Sequence, residues 1–288
     1  MAIATTTATA PPAAIQPVTV PSRHFDAWAT LTRRRLALST RTPREVVIPL
    51  LTPVLFALVI APALSDTVGR FQPGLDYMSF VAIATVGLLV PISCMFAGLG
   101  VIIDRRGGGL RDLLAAPIAR PLIVFGNLAV AVLLAGLQLV VLVVAAVLRG
   151  ADFHASVTGI AWFAAAALAL AVTMYGAAEA LANVMPTQEE YIGAVPAVAI
   201  VPWFFAGSLF PISALPAGLG FIAKLLPLTH ALALMRYGLI DHRATGLRDI
   251  WGMTNPTAMA ALSMTVVTLF SIGLTALGLR AFRRASLH

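Results

Sequence analysis

The chain alternates between long apolar runs and short polar breaks, and the runs have membrane-spanning length. A hydrocarbon core about 30 Å thick is crossed by roughly 20 helical residues. Six stretches reach that length, at 46–64, 78–103, 121–148, 157–184, 191–212 and 257–281. A seventh apolar stretch, 214–235, is interrupted by Pro216, Gly218, Gly220, Lys224 and Pro227. Its halves are each too short to cross. Broken backbone at membrane depth is tolerated where protein buries it, so this pattern predicts a re-entrant helical hairpin.

Two segments precede the spans. Residues 1–21 are rich in Ala, Thr and Pro and carry no charged side chain. They lack the basic start and continuous apolar core of a secretory signal, and read as a disordered cytoplasmic tail. Residues 22–41 have helical periodicity, with Ser22 as the expected N-cap. Phe25, Trp28, Ala29, Leu31, Leu36 and Leu38 fall on one half of the wheel. Arg23, Asp26, Thr30, Arg33, Arg34 and Arg41 fall on the other. This predicts an amphipathic helix lying in the membrane interface. Arg35 lies within the apolar arc and is expected to snorkel outward.

Composition agrees with a bilayer. Of 288 residues, 59% are hydrophobic and 11% charged, with a mean hydropathy of +0.93. A soluble domain carries roughly 25% charged residues. A soluble enzyme, a disordered regulator and a nucleic-acid-binding domain are therefore disfavoured, despite a net charge of +7. In a membrane protein the placement of charge matters more than its sum. With the N-terminus inside and six alternating spans, thirteen of the 19 basic residues fall on the cytoplasmic side. Both termini are therefore expected in the cytoplasm, although the loop 185–190 carries Glu189 and Glu190 and no basic residue. The expected fold is an all-α, polytopic membrane protein: six transmembrane helices over 44–284, an interfacial helix at 22–41 and an extracellular re-entrant hairpin. No long internal repeat is visible, which weighs against transporters built from repeated halves.

Several chemistries are missing from the sequence. Lys224 is the only lysine and follows no Gly-rich phosphate loop, so the chain lacks a P-loop ATPase motif. There is no His-Glu-x-x-His pattern, and Ser208 does not sit in a nucleophile elbow. His24, His154, His230, His242 and His288 are scattered, and no metal site is expected. The one cysteine, Cys94, lies in an apolar run and is expected to pack there.

Two motifs stand out. The first is the loop 104–118, Asp104-Arg105-Arg106-Gly107-Gly108-Gly109-Leu110-Arg111-Asp112-Leu113-Leu114-Ala115-Ala116-Pro117-Ile118. Its glycines let the chain turn as it leaves the membrane. Leu110, Leu113 and Leu114 recur at helical spacing, and Pro117 ends the short helix. The second motif starts at Phe210-Pro211-Ile212-Ser213-Ala214-Leu215-Pro216 and continues through Leu226-Pro227-Leu228-Thr229-His230 to Arg236. It describes a span end, a broken hairpin and a return.

Together these residues resemble the membrane subunit of a type-2 ABC exporter, a class that includes drug, polysaccharide and teichoic-acid exporters. In the first motif Asp104, Arg105, Gly108, Leu110, Leu113 and Pro117 match the family's coupling loop, while Gly109 and Ala116 replace its usual hydroxyl residues. In the second, Phe210, Pro211, Leu215, Pro216, Leu219, Pro227, Thr229, His230 and Arg236 fall in order. The resemblance covers roughly 22–284. It implies that two permeases pair, each docking a separate nucleotide-binding ATPase that holds ATP and magnesium. The loop 104–118 and the interfacial helix would pass the ATPase's motion to the spans, so aspartate at Leu110, Leu113 or Leu114 is expected to uncouple ATP hydrolysis from transport with little loss of the spans.

Within the spans, Glu179 is the residue to watch, because a carboxylate in lipid must face protein or water and have a partner. It reads either as a contact for a cationic substrate or as a helix–helix hydrogen bond. Asn127, Gln138 and Asn183 read as helix-joining groups. Met95 and Phe96 read as core or lipid-facing residues. Trp203, Phe204 and Phe205 carry the same reading, with a drug-binding aromatic surface as the alternative. Arg236 is expected to anchor the hairpin to His230 or to backbone carbonyls.

The leading functional reading is an efflux permease for a lipophilic small molecule, drug or lipid in the bacterial cytoplasmic membrane. A glycan exporter of the same architecture, a proton-coupled transporter using Glu179 and a non-transporting scaffold are the alternatives.

Overall fold

The computed structural model describes residues 24–41, 77–153, 156–241 and 243–286, and every regular element within them is helical. The expected tail at 1–21, the Ser22 cap and the span at 46–64 lie outside the described residues.

Helix α1 (His24–Arg41) takes the place expected for the interfacial helix. Its apolar half partly packs on a neighbouring span. Leu31 sits close over Gly126, and the Trp28 indole donates to the Phe125 carbonyl at 3.2 Å. Phe25 stays 71% exposed at the start of the helix.

Helices α2 (Tyr77–Arg106), α3 (Gly109–Ala115), α4 (Pro121–Leu148) and α5 (Val157–Val184) follow. The long ones start at sites their sequences specify. Pro121 occupies the first turn of α4, where a missing N–H costs nothing. The Ser156 hydroxyl accepts from the Gly159 amide at 3.0 Å and caps α5.

The expected span at 191–212 is not one continuous helix. It comprises α6 (Gln188–Val195), a π-helical turn (Pro196–Ile200) and α7 (Val201–Phe205). Pro196 and Pro202 each remove a backbone donor, which favours the wider turn between them. Gly207, at φ 73°, takes the chain out of the helix five residues short of Ile212. Tyr191, Val195, Ala199 and Trp203 recur every fourth residue and form the buried stripe of this rod.

The hairpin consists of α8 (Ala217–Leu225) and α9 (Pro227–Leu239), bent by 82° at Leu226. The residue before a proline is driven to extended backbone, and Leu226 lies at φ −79°, ψ 128°. Burial divides the two arms. Pro227 and Tyr237 apart, all of α9 is buried. In α8, Leu219, Phe221, Ile222 and Leu225 are exposed. Helices α10 (Thr245–Trp251) and α11 (Pro256–Ala285) complete the chain, with Asn255 capping α11 through the Ala258 amide at 3.1 Å.

Among the described residues, α2, α4, α5 and α11 are long and apolar enough to cross a membrane, and the bent α8–α9 pair would make a fifth. Helix α5 is the hub, packed against α2, α9 and α11. Small residues let the backbones approach, as helix packing in lipid favours. A Cβ on Gly159 would collide with the Gly238 carbonyl of α9. One on Gly176 would lie 2.6 Å from the Thr275 amide of α11. Beside that crossing, the Thr173 and Ser271 hydroxyls are hydrogen-bonded at 2.7 Å.

Candidate coupling site and transport path

One end of the bundle gathers the charged residues of the first motif. Helix α2 runs out at Asp104-Arg105-Arg106, and each side chain ties a different segment. The Asp104 carboxylate lies 3.8 Å from Arg34 Nη1 and 3.7 Å from Arg35 Nη1, both on α1. Arg105 Nη2 donates to the Met185 carbonyl at 2.7 Å, and Arg106 Nη2 to the Pro186 carbonyl at 3.1 Å. Arg120 Nη1 reaches Ser286 Oγ at 3.3 Å, just beyond α11. Exposed ion pairs contribute little one at a time, but these bonds fasten α1 and the 185–187 turn to the end of α2, and separately the start of α4 to the end of α11. Arg33, also expected to take part, is exposed on α1.

Helix α3 hangs from this cluster. Gly108 adopts φ 80°, a left-handed conformation that suits glycine, and turns the chain into α3. Ala116 is extended ahead of Pro117, which ends it. Leu110 is buried in the main apolar core, with Leu113 and Leu114 packed against it. Arg111, Asp112, Ala115 and Pro117 are exposed. The leucines therefore hold α3 to the bundle, and its outward face is the charged one. Aspartate at Leu110 would cost core packing, contrary to the expectation that the spans would be spared.

Arg35 does not snorkel outward as expected. Its side chain is 13% exposed and turned into the bundle. Nη2 donates to the Ala97 carbonyl at 3.4 Å, and the guanidinium lies against Gly100, where a Cβ would collide with it. The wheel placed Arg35 on the right face but could not show that α2 offers it an acceptor and a gap.

Glu179 is 1% exposed inside α5. The Tyr175 hydroxyl donates to Oε2 at 2.7 Å, and Asn183 Nδ2 donates to Oε1 at 2.9 Å. Gly278 of α11 leaves room for the Glu179 Cβ. The i±4 spacing of Tyr175, Glu179 and Asn183 was readable in the sequence, but sequence reasoning did not assemble it. Nearby, the Tyr191 hydroxyl donates to the Met95 carbonyl at 2.6 Å and ties α6 to α2.

The structure does not bring Glu179 together with the aromatic trio. Trp203 is buried, and its indole donates to the Ala84 carbonyl at 2.7 Å. Gly98 of α2 abuts Ala178, the neighbour of Glu179. Positions 84 and 98 on α2 are about 20 Å apart along the axis at 1.5 Å per residue. Phe204 is 51% exposed and Phe205 half-buried, so the trio shares no single face. Met95 is buried and Phe96 exposed. Gln138 accepts from the Ser93 hydroxyl and joins α4 to α2. Cys94 is buried with its thiol 3.4 Å from the Ala171 carbonyl of α5.

The residues of the second motif meet at the opposite end. Arg236, on α9, donates to the Gly207 carbonyl at 2.7 Å and the Ser208 carbonyl at 3.0 Å. Its guanidinium carbon lies 3.5 Å from the Phe80 ring centroid. Arg236 thus holds the turn after α7 onto α9, without His230. His230 instead pairs with Ser263 Oγ at 3.1 Å and the Lys224 carbonyl at 2.9 Å. The Trp251 indole shares that Ser263 hydroxyl at 2.8 Å. Phe210 is 41% exposed, Pro211 starts a short 3-10 turn (Ile212–Ala214), and Leu215 and Pro216 lead into α8. A cavity of about 810 Å³ opens beside Arg236, bordered by Phe80, Asp152, Thr229, Asp241 and Asp249.

Similarity to known proteins follows the same residues. The family model described as ABC-2 type transporter matches residues 26–240, from α1 through the hairpin. A protein of Porphyra purpurea named as a transport permease, ycf38, is 25% identical over 199 residues, covering 68% of each chain. The chain therefore belongs to the ABC-2 type transporter family, as the multi-pass membrane permease subunit of an ABC transporter.

Proposed function

We propose that this permease moves a lipophilic small molecule, drug or lipid outward across the bacterial cytoplasmic membrane, driven by a separate ATPase chain. Two permeases, identical or related, would pair, and each would dock one ATPase holding ATP and magnesium. In this reading six spans cross the membrane, both termini are cytoplasmic, and the hairpin lies at the outer surface. The apolar walls of the spans favour a lipophilic cargo over a free polar solute.

The observation that carries the proposal is the clustering at one end of the bundle. Asp104, Arg105 and Arg106 fasten α1 and the turn after α5 to the end of α2 there, beside an α3 whose Arg111 and Asp112 are exposed. A push on α3 would reach α2 directly, α1 through the Asp104 ion pairs at 3.7 and 3.8 Å, and the end of α5 through the Arg105 and Arg106 hydrogen bonds. Because packed elements shift as units, such a push becomes a displacement of spans.

Inside-out vesicles test the proposal, with a lipophilic fluorescent dye and a fluorescent phospholipid as probes. ATP-dependent uptake is expected with the ATPase chain present. Uptake on a proton gradient alone, without ATP, would contradict it and favour proton coupling through Glu179.

A further inference from the structure

The cavity beside Arg236 lies at the end of the bundle opposite α3, and coupling to an ATPase makes no use of it. At about 810 Å³ it has the size of a pocket for a drug-sized ligand. Thr229, Ala233, Arg236 and Ile240 recur along one face of α9 and form one of its walls. Asp241 and Asp249 border it from the segment that carries α10, and Phe80 and Ile212 add apolar surface.

The two carboxylates are held by neutral donors. Asp241 Oδ2 accepts from the Thr245 hydroxyl at 2.6 Å and from the Gly246 amide at 3.2 Å. Asp249 Oδ2 accepts from the Ser213 hydroxyl at 3.0 Å. Neither carboxylate forms an ion pair among the described residues. The basic residues of the lining are placed elsewhere: Arg236 is turned onto the Gly207 and Ser208 carbonyls and the Phe80 ring, and Arg243 is exposed. Thr229 supplies an independent sign of a ligand. It is 2% exposed, and its hydroxyl has no hydrogen-bond partner among the described residues. Buried polar groups are almost always bonded, so this hydroxyl, on the cavity face of α9, is left for a group that enters.

We infer that the cavity binds the ammonium head of an amphiphile. The positive charge sits at Asp241 and Asp249, the Thr229 hydroxyl bonds a polar atom of the head, and the apolar body lies against Phe80, Ile212 and Ile240. A bare metal ion fits less well, because no three acidic, histidine or cysteine side chains converge among the described residues. A hydrocarbon tail leaving the cavity meets apolar surface. A Cβ on Gly220 of α8 would lie 3.8 Å from the Ile212 carbonyl, and α8 exposes Phe221, Ile222 and Leu225. An ethanolamine phospholipid and a free lipophilic amine carry the same head. The site belongs to this chain alone and stands whether or not an ATPase drives transport.

The full-length permease, purified in a maltoside detergent, is titrated with hexylammonium and with dihexanoyl phosphatidylethanolamine. Hexanol and dihexanoyl phosphatidylglycerol are the controls of equal chain length. Binding is read as a saturable rise in melting temperature. At least one ammonium ligand should produce that rise at concentrations where its control does not. Asp241→Asn and Asp249→Asn keep an accepting oxygen and remove the charge. Each should need about tenfold more ligand for the same rise. Thr229→Val should need about fivefold more, with no fall in its own melting temperature, because the hydroxyl has no bond to lose.

A rise with phosphatidylethanolamine alone assigns the site to a lipid head, and a rise with hexylammonium alone assigns it to a free amine. A rise with both shows that the ammonium is what the site reads. No rise with either ligand, an equal rise with the controls, or wild-type responses in both asparagine variants would overturn the inference. Transport does not enter this measurement, so failure of the transport proposal would leave its result unchanged.

Discussion

The Arg105 guanidinium lies 2.7 Å from the Met185 carbonyl, joining residues 80 positions apart in the chain. Arg106 repeats the bond one residue on, to Pro186. The end of α2 and the turn after α5 therefore move as one body. Arg105→Met should leave the Met185 carbonyl unpaired, at a cost of about 1–3 kcal/mol. The expected outcome is a lower melting temperature and less transport per ATP hydrolysed, read by thermal unfolding in detergent and by vesicle uptake.

The two faces of α3 should separate docking from folding. Arg111→Glu and Asp112→Lys reverse charges on the exposed face. They should weaken ATPase capture with melting shifted little, since surface substitutions cost within about 0.5 kcal/mol. Leu110→Asp places a carboxylate in the core and should lower the melting temperature and the yield. Co-purification and thermal unfolding of the three variants measure both effects.

Gly159 and Gly238 set the approach of α5 to the hairpin. Alanine or valine at Gly159 brings a Cβ into the Gly238 carbonyl, which is backbone and has no rotamer to yield. Gly159→Val should destabilise the protein by about 1–3 kcal/mol. Gly136, with open space around its Cβ position, is the control and should tolerate valine better. Melting temperatures of the two variants decide the point.

Arg236 should prove specific as well as charged. Lysine keeps the charge but not the planar fork that reaches two carbonyls while lying over Phe80. Arg236→Lys should destabilise the 206–213 turn, and Arg236→Leu should do so more. Limited proteolysis of that turn is the readout, with faster cleavage expected in the order wild type, lysine, leucine.

The sequence made most of this architecture legible because lipid imposes a simple code. Spans α2, α4, α5 and α11 follow from apolar length, and Leu226 before Pro227 marks the break in the hairpin. Chain direction changes were also readable, as at Gly108 and Pro117. What was not readable depends on which neighbour fills a gap. The wheel showed Arg35 on an apolar face, but the gap at Gly100 that receives it belongs to another helix. Leu110 was expected to take aspartate without harm to the spans, because amphipathicity does not say which side of a short helix meets protein. Trp203 and Glu179 are 24 positions apart in the chain, yet nothing in the spacing told that the Trp203 indole bonds to Ala84, far along α2 from the Gly98 that meets the neighbour of Glu179. Arg236 was expected to bind carbonyls or His230, and only the folded turn at Gly207 and Ser208 decides between them.

In the proposed mechanism this permease works only with a separate ATPase docked on the exposed face of α3. Its most direct test is affinity capture of the tagged chain from its own membranes, followed by an ATPase assay of what binds. A co-purifying ATPase is expected, with activity stimulated by a lipophilic probe and capture weakened in Asp112→Lys. Transport by the purified permease alone, or an ATPase captured equally well by Asp112→Lys and Arg111→Glu, would contradict it.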